Sequence, residues 1–363
     1  MPFINTYISY NKVYEIYNNR FYKTYSNVVY GYGDNGYGQL GIGSQNKVLI
    51  EEKIKDIKIY NNRTYFITIN SEVYACGENY YRHLGVGSYK KSVCIPQKVL
   101  IEEKIKDILI YDECIYFITI NDEVYAYGQN YYGQLGVGLR DYVVCSPQKV
   151  LIEEKIKDIK LNRNQSYFIT FNDKVYASGQ NYFGKLGIGS HNEFVNIPQK
   201  VLIEEKIKDI RIYDERIYFI TINNEFYTCG QNYYGQLGVG PHDKIVCIPQ
   251  KVLLEEKIKD IKTFYNLTYF ILINDEVYSC GDNEVGQLGI GSYDKVVYIP
   301  QKVLIEEKIK DIKIYNNITY FITINDKVYT CGRNKYDQLG IGSCNEVACI
   351  PQKVLIEKKN KRY

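Results

Sequence analysis

Tryptophan is absent from this 363-residue sequence, methionine occurs once, and there are only three histidines, His83, His191 and His242. None of the histidines has a Cys, Ser, Asp or Glu partner at a diagnostic spacing, so all three read as surface residues and no catalytic residue is assigned. No CxxC pair occurs, and no metal site is expected. Phosphate loops of the form GxxxxGK[ST] are missing too, and the glycine-rich segments do not open helices. No stretch approaches the roughly 18 apolar residues of a membrane helix. The N-terminal residues lack an apolar core of signal-peptide length, so a soluble intracellular protein, cytoplasmic or nuclear, is expected. Neither sign of charge dominates, because 45 Lys and Arg face 42 Asp and Glu for a net +3. That balance argues against nucleic acid and membrane surfaces as partners. No cofactor is expected.

What the chain has in abundance is repetition. Gly-x-Asn recurs with its glycine at Gly33, Gly77, Gly128, Gly179, Gly230, Gly281 and Gly332, one interval of 44 residues followed by five of 51. Most copies continue as a variant of YYGQLGVG, then a loop of changing sequence, then IPQKVLIEEKIKDIKIY, a YFITI run and NDEVYACG. Seven copies of one unit mean a repeat architecture, in which each unit buries its faces against its neighbours. Eight of the ten cysteines fit that view. Cys76, Cys229, Cys280 and Cys331 share one repeat position with Tyr127 and Ser178, while Cys94, Cys145, Cys247 and Cys349 share another with Asn196 and Tyr298. Positions that accept Tyr, Ser or Asn are packing or surface positions, and the thiols are expected to be reduced and unreactive.

Period-two alternation of β-branched and aromatic residues marks strands, with Asn121-Asp122 as a hairpin turn. YFITI is apolar on both faces, as a sheet packed between two others requires. In KVLIEEKIKDI, Leu100, Ile101, Ile105 and Ile108 also fit a helical spacing, but Pro96 and the β-branched content favour two short strands. Each copy then supplies four strands, PQKVLI, KIKDIKIY, YFITIN and EVYACG, the content of a propeller blade. Residues 7–33 parallel the second half of a copy, and Ile350 to Lys358 its first half. The expectation is one all-β domain over 1–363, a seven-bladed β-propeller of four-stranded blades whose ring closes when 350–363 completes the blade begun by 7–33.

The string G-x-N-x-x-G-Q-L-G-x-G, followed by a loop and a proline, resembles the repeat of the regulator of chromosome condensation family, over essentially the whole chain. The resemblance implies a seven-bladed propeller. It also implies a range of roles, among them guanine nucleotide exchange on Ran-like small GTPases, ubiquitin-ligase domains, ciliary scaffolds and inhibition of other proteins. Family repeats carry a glycine and then a histidine before the YFITI-type strand. Here those positions hold residues such as Glu113 and Tyr116, and five equal intervals leave no room for the inserted hairpin that exchange-active members carry.

In the repeat motif, Gly133, Gly136 and Gly138 are expected to supply positive backbone angles, and Asn130 to bond the loop backbone. Gly128, Gln134 and Leu135 complete that structural set. Function is expected in the segments where the copies differ, one preceding each YFITI strand and one following the glycine motif. In the first set, Arg63, Arg163 and Arg216 with Asp112, Glu113, Asp214 and Glu215 form an expected ring of alternating charge. In the second, Arg140, Asp141, His191 and His242 stand out. The reading is a monomeric, non-enzymatic platform for a protein partner, with nucleotide exchange on a Ran-like small GTPase as the alternative.

Overall fold

A computed structural model describes residues 10–355 apart from 17, 81, 214–215, 242–243 and 344. Among these residues there is no α-helix, only short 3-10 turns at Ser44–Asn46 and Tyr182–Gly184. Seven antiparallel sheets follow one another along the chain, the first of three strands and the other six of four. They pack as two compact units, one holding residues up to 180 with 194–200, the other 181–193 with 201 onward. The first unit contains four sheets and the second three.

The third sheet shows why this sequence makes such a unit. Its strands are Ile105–Tyr111, Cys114–Thr119, Val124–Gln129 and Val143–Lys149. Ile115, Tyr116 and Phe117 of the second strand are all fully buried, so this strand faces protein on both sides, as its two apolar faces require. The hairpin after it turns at Asp122, with φ of 60°. Thr119 Oγ1 accepts the Glu123 N–H at 3.1 Å, which satisfies a donor that the turn leaves unpaired. The fourth strand pairs on one side only. Its ladder with the third strand breaks between Ala126 and Gly128, opposite Pro147, which has no N–H to donate.

That fourth strand corrects the expected grouping. The PQK segment does not begin the blade whose KIKDIKIY strand follows it; it pairs backward, onto the strand that precedes the glycine loop. The glycine loop is a reverse connection, returning the chain antiparallel beside the strand it has just left. Val150 to Lys155 then crosses to the next sheet without forming a helix. The same frame applies at the C-terminus. Ile350 to Lys353 lie in the strand Val347–Lys353, which pairs with Val328–Arg333 and completes the seventh sheet, not the blade begun by 7–33. The first sheet consists of Tyr10–Ile16, Asn19–Thr24 and Val29–Tyr32, with single bridges of Tyr30 to Lys47 and Ile42 to Val48 beyond it. Residues 7–9 and 356–363, also invoked for closure, lie outside the described residues.

Successive sheets within a unit are joined by a buried polar seam. The Gln134 carbonyl, in the glycine loop of the third sheet, accepts the Tyr116 hydroxyl of its own sheet at 3.0 Å and the Ser178 hydroxyl of the fourth at 3.2 Å. Gln287 repeats the pattern, accepting Tyr269 and Thr319 hydroxyls at 2.7 Å and the Cys331 thiol at 3.3 Å. Cys76 donates likewise to Gln39 and Cys229 to Lys185. The recurrent cysteine is thus a buried donor, interchangeable with serine for that reason. Burial pushes the Cys280 thiol up to about 12 and raises those of Cys76, Cys229 and Cys331 as well.

Two outcomes follow. Gly128 has φ of 108°, and a Cβ there would lie 2.1 Å from the Glu113 carbonyl oxygen. Gly128→Ala is expected to destabilise the fold by about 3 kcal/mol or more in a denaturant melt. Alkylation of the native protein with a maleimide should label Cys94, the exposed thiol among the described residues, well ahead of Cys76, Cys229, Cys280 and Cys331, read by peptide mass mapping.

Candidate functional site

Strand register places both variable sets at the same end of a sheet. Arg63 pairs with Gly77 and Cys114 with Gly128, so the turn before the second strand lies beside the start of the glycine loop. The contact is direct, since Glu78 and Gln129 donate their N–H groups to the Asn62 and Glu113 carbonyls at 2.9 Å. The other end carries the NDEV-type hairpins and the EEK crossings, whose sequences barely change between copies. There one ion pair repeats, Lys106 to Asp122, Lys157 to Asp173, Lys259 to Asp275 and Lys310 to Asp326, at 2.8 to 2.9 Å.

The glycine loops form a rigid base for the variable segments. Asn130 Oδ1 accepts the Leu135 N–H at 3.2 Å, and its Nδ2 donates to the Leu139 and Asp141 carbonyls at 3.1 and 3.2 Å. Gln134 Oε1 accepts the Tyr132 N–H. Gly133, with φ of 77°, sits where a Cβ would lie 2.5 Å from the Asn196 Cα of the next sheet. Gly136 and Gly138 also have positive φ. Arg140 and Asp141 stand on this base as exposed residues. His191 is exposed as well, with Nδ1 3.4 Å from the Cys247 sulfur.

The pre-strand residues do not form a ring of exposed charge. Arg63 is 3% exposed, and its Nη2 donates to Glu113 Oε2 at 2.6 Å. The same oxygen lies 2.6 Å from Nδ1 of His83. His83 is therefore not a surface residue but a buried member of an Arg63–Glu113–His83 cluster, 4% exposed. Arg216 is also turned inward, bonding Thr268 Oγ1 at 2.8 Å and the carbonyls of Gln236, Leu267 and Tyr265. Of the expected charges only Arg163 and Asp112 meet at the surface, at 3.1 Å. Asp214, Glu215 and His242 lie outside the described residues. Two Tyr side chains, Tyr60 and Tyr111, line a shallow depression with Asp112 and Arg163. Among the described residues no group of His, Cys, Asp and Glu could hold a metal ion.

His83 was legible in one respect: it occupies the position held by Gln39, Gln134, Lys185, Gln236, Gln287 and Gln338 in the other copies. Its partner was not, since Glu113 is thirty residues away in the next sheet. Burial raises the Glu113 carboxyl, but the hydrogen bond to His83 and the charges of Arg63 and His83 outweigh it and hold the group below the ordinary 4.5. A carboxyl depressed on folding adds stability that is complete above its unfolded value and is lost as pH falls through the folded one. Glu113→Gln should therefore cost about 2 kcal/mol at pH 7, because Arg63 is left buried without its counter-charge while part of the Glu113 side chain stays in water. The gap between variant and parent should narrow as the pH of the melt is taken well below 4.5.

Comparison with known proteins places this geometry in a family. The model of the regulator of chromosome condensation (RCC1) repeat matches residues 121–168, 223–269, 274–322 and 325–362, together just over half of the chain. The ultraviolet-B receptor UVR8 of Arabidopsis thaliana is 27% identical over 255 residues, covering 68% of this chain and 57% of the receptor. The X-linked retinitis pigmentosa GTPase regulator of Canis lupus familiaris is 30% identical over 64% of this chain, and human E3 ubiquitin-protein ligase HERC2 28% identical over 63%. The matches span 29% and 5% of those two proteins, so the chain covers well under two thirds of these relatives' lengths. Among solved structures, yeast RCC1 (Prp20), bound to Kap60, is similar with a TM-score of 0.48 at 18% identity, over 90% of this chain and 83% of that one. Human WBSCR16 has the same score at 17% identity, over 85% and 83%. By the match of the repeat model over more than half of its length, the chain belongs to the RCC1 repeat family.

Proposed function

We propose that the protein is a non-enzymatic binding platform that engages a protein partner through the end of its sheets where the variable segments emerge. One observation supports this most directly. Both sets of segments that differ between copies share one end, while the opposite end repeats nearly the same residues and the same Lys–Asp pairs in sheet after sheet. A surface made of near-identical repeats offers a partner several equivalent registers. A surface with different side chains on each sheet offers one, and charged groups there fix orientation more than they add affinity. The loops rest on a bonded, glycine-fitted base, so little ordering cost is left for binding.

A small GTPase is the partner class that the family points to, and one relative is named as a GTPase regulator. Nucleotide exchange is the less favoured version, because the glycine and histidine of family repeats are replaced before the YFITI-type strands and the equal intervals leave no room for the hairpin that exchange-active members carry. Arg140→Ala, Asp141→Ala and Arg163→Ala together should leave the thermal melt unchanged and abolish capture of a specific partner. Lys106→Ala with Lys157→Ala, at the constant end, should leave that capture intact. Loss of the partner with the constant-end pair alone would overturn the reading. Acceleration of GDP release from a Ran-like GTPase would replace it with exchange.

A further inference from the structure

At the variable end of the first unit, where the first three sheets adjoin, lies a polar cleft with a cavity volume of about 360 Å³. That is within the lower range of ligand pockets. Asn19, Asp34, Asn62, Arg63, Glu78 and Glu113 are among the residues lining it. Three carboxylates face one arginine, and the Arg63 charge is already matched by the 2.6 Å contact to Glu113. Asp34 and Glu78 have no ion pair among the described residues. The bonds of their carboxylates there are with the Gly36 N–H, at 3.0 Å, and the Asn62 side-chain amide, at 3.1 Å. By its lining side chains the cleft carries an excess of negative charge.

A second, independent feature points the same way. Asn19 is 5% exposed, and its Oδ1 is a buried acceptor with no donor. A buried acceptor left unpaired is costly, so a site that keeps one gains by receiving a donor. The position is also singular in the repeat. The residue that opens the second strand is Asn19, Arg63, Cys114, Gln165, Arg216, Leu267 and Ile318 through the seven sheets. Arg216, the other arginine in that series, finds four oxygen acceptors in its own surroundings. A buried charge, one exposed and one half-buried carboxylate, and an idle acceptor occur together in the first unit.

We propose that this cleft receives an arginine side chain of the protein partner, its guanidinium set against Asp34 and Glu78. The inference rests on the platform reading above and names the chemistry that the partner presents to it. A guanidinium supplies several donors in a planar fork, which suits two carboxylates and one amide oxygen better than the compact charge of an ammonium group does. The variable end thereby gains an anchor with a fixed place, since the copies of this position in the other sheets are differently built.

The test uses the full chain and the peptide acetyl-Gly-Gly-Arg-Gly-Gly-amide, titrated by calorimetry or NMR at low salt beside versions carrying citrulline, lysine or glutamate at the centre. The arginine peptide should bind about tenfold or more tighter than its neutral citrulline isostere, and should weaken with added salt. Asp34→Asn with Glu78→Gln should reduce its affinity about fivefold or more, while Asp173→Asn, at the constant end, leaves it unchanged. Asp34→Asn alone, at an exposed turn, gives a smaller loss in the same direction and guards against misfolding of the double variant. Equal binding of citrulline, or indifference to the double substitution, would overturn the proposal. So would putrescine binding as tightly as the peptide, which would make the cleft a site for free cations. If a partner remains bound to the Asp34, Glu78 variant but is lost when Arg140, Asp141 and Arg163 are changed, the cleft is not the anchor and the platform reading stands. Loss of the partner in both supports the two together.

Discussion

The backbone carbonyl at the Gln134 position of the first six glycine loops is the point on which the structure turns. It is buried where one sheet meets the next, and a buried carbonyl without donors costs free energy comparable to a lost hydrogen bond. The repeat supplies those donors from two sheets at once, as the Tyr269, Thr319 and Cys331 contacts to Gln287 show. Packing of the apolar strands brings the sheets together, but it would permit small slips of one sheet on another. The carbonyl permits one arrangement. What it requires is a small donor at a fixed place, so cysteine, serine and threonine can share the work. Tyr127 meets the same need indirectly, through the hydroxyl of Tyr65, which itself bonds the His83 carbonyl.

The loop that carries this carbonyl must then be rigid and must approach the neighbouring sheet closely. Gly133 allows the approach, Asn130 closes the loop, and the proline of the following PQK strand sits in the interruption of the ladder where its missing N–H is harmless. These demands fall on the residues nearest the seam. Side chains beyond the loop, such as Arg140 and Asp141, escape them. That is why one end of each sheet can differ from copy to copy while the other end, tied into the crossing to the next sheet, cannot.

The Arg63–Glu113–His83 cluster departs from the pattern and has a cost. An arginine is placed where other copies carry Cys114 or Ile318, and it is supported by a carboxylate from the next sheet and by a histidine in place of the usual glutamine. Two of the Arg63 nitrogens, Nε and Nη1, have no acceptor. Buried ion pairs of this kind contribute little net stability over apolar residues of similar size. Their effect here is on the charge of the cleft, because Arg63 and Glu113 are committed to each other and the outer carboxylates are left to act on a partner.

Periodicity made the strands, the sheet count and the family legible, because a 51-residue repeat leaves its buried faces, turns and glycine loops at the same offsets in every copy. The equivalence of cysteine with serine at one position implied packing, and Cys76, Cys229, Cys280 and Cys331 are buried there. The sequence could not show in which sheet the PQK segment pairs, since a strand carries its own alternation but not the identity of its neighbour; the direction of the glycine loop decides that. Nor could it show that Arg63 and Arg216 point inward while Arg163 does not. Arg63 and Arg216 are the first residues of their strands, where acceptors from an adjacent sheet, Glu113 and Thr268, stand within reach, whereas Arg163 lies two residues ahead of its strand, in the turn. Local sequence determines which segments become strands and loops. Charges that meet across thirty or fifty residues are settled only when the sheets pack, because burial and hydrogen-bond partners are properties of the neighbours and not of the segment itself.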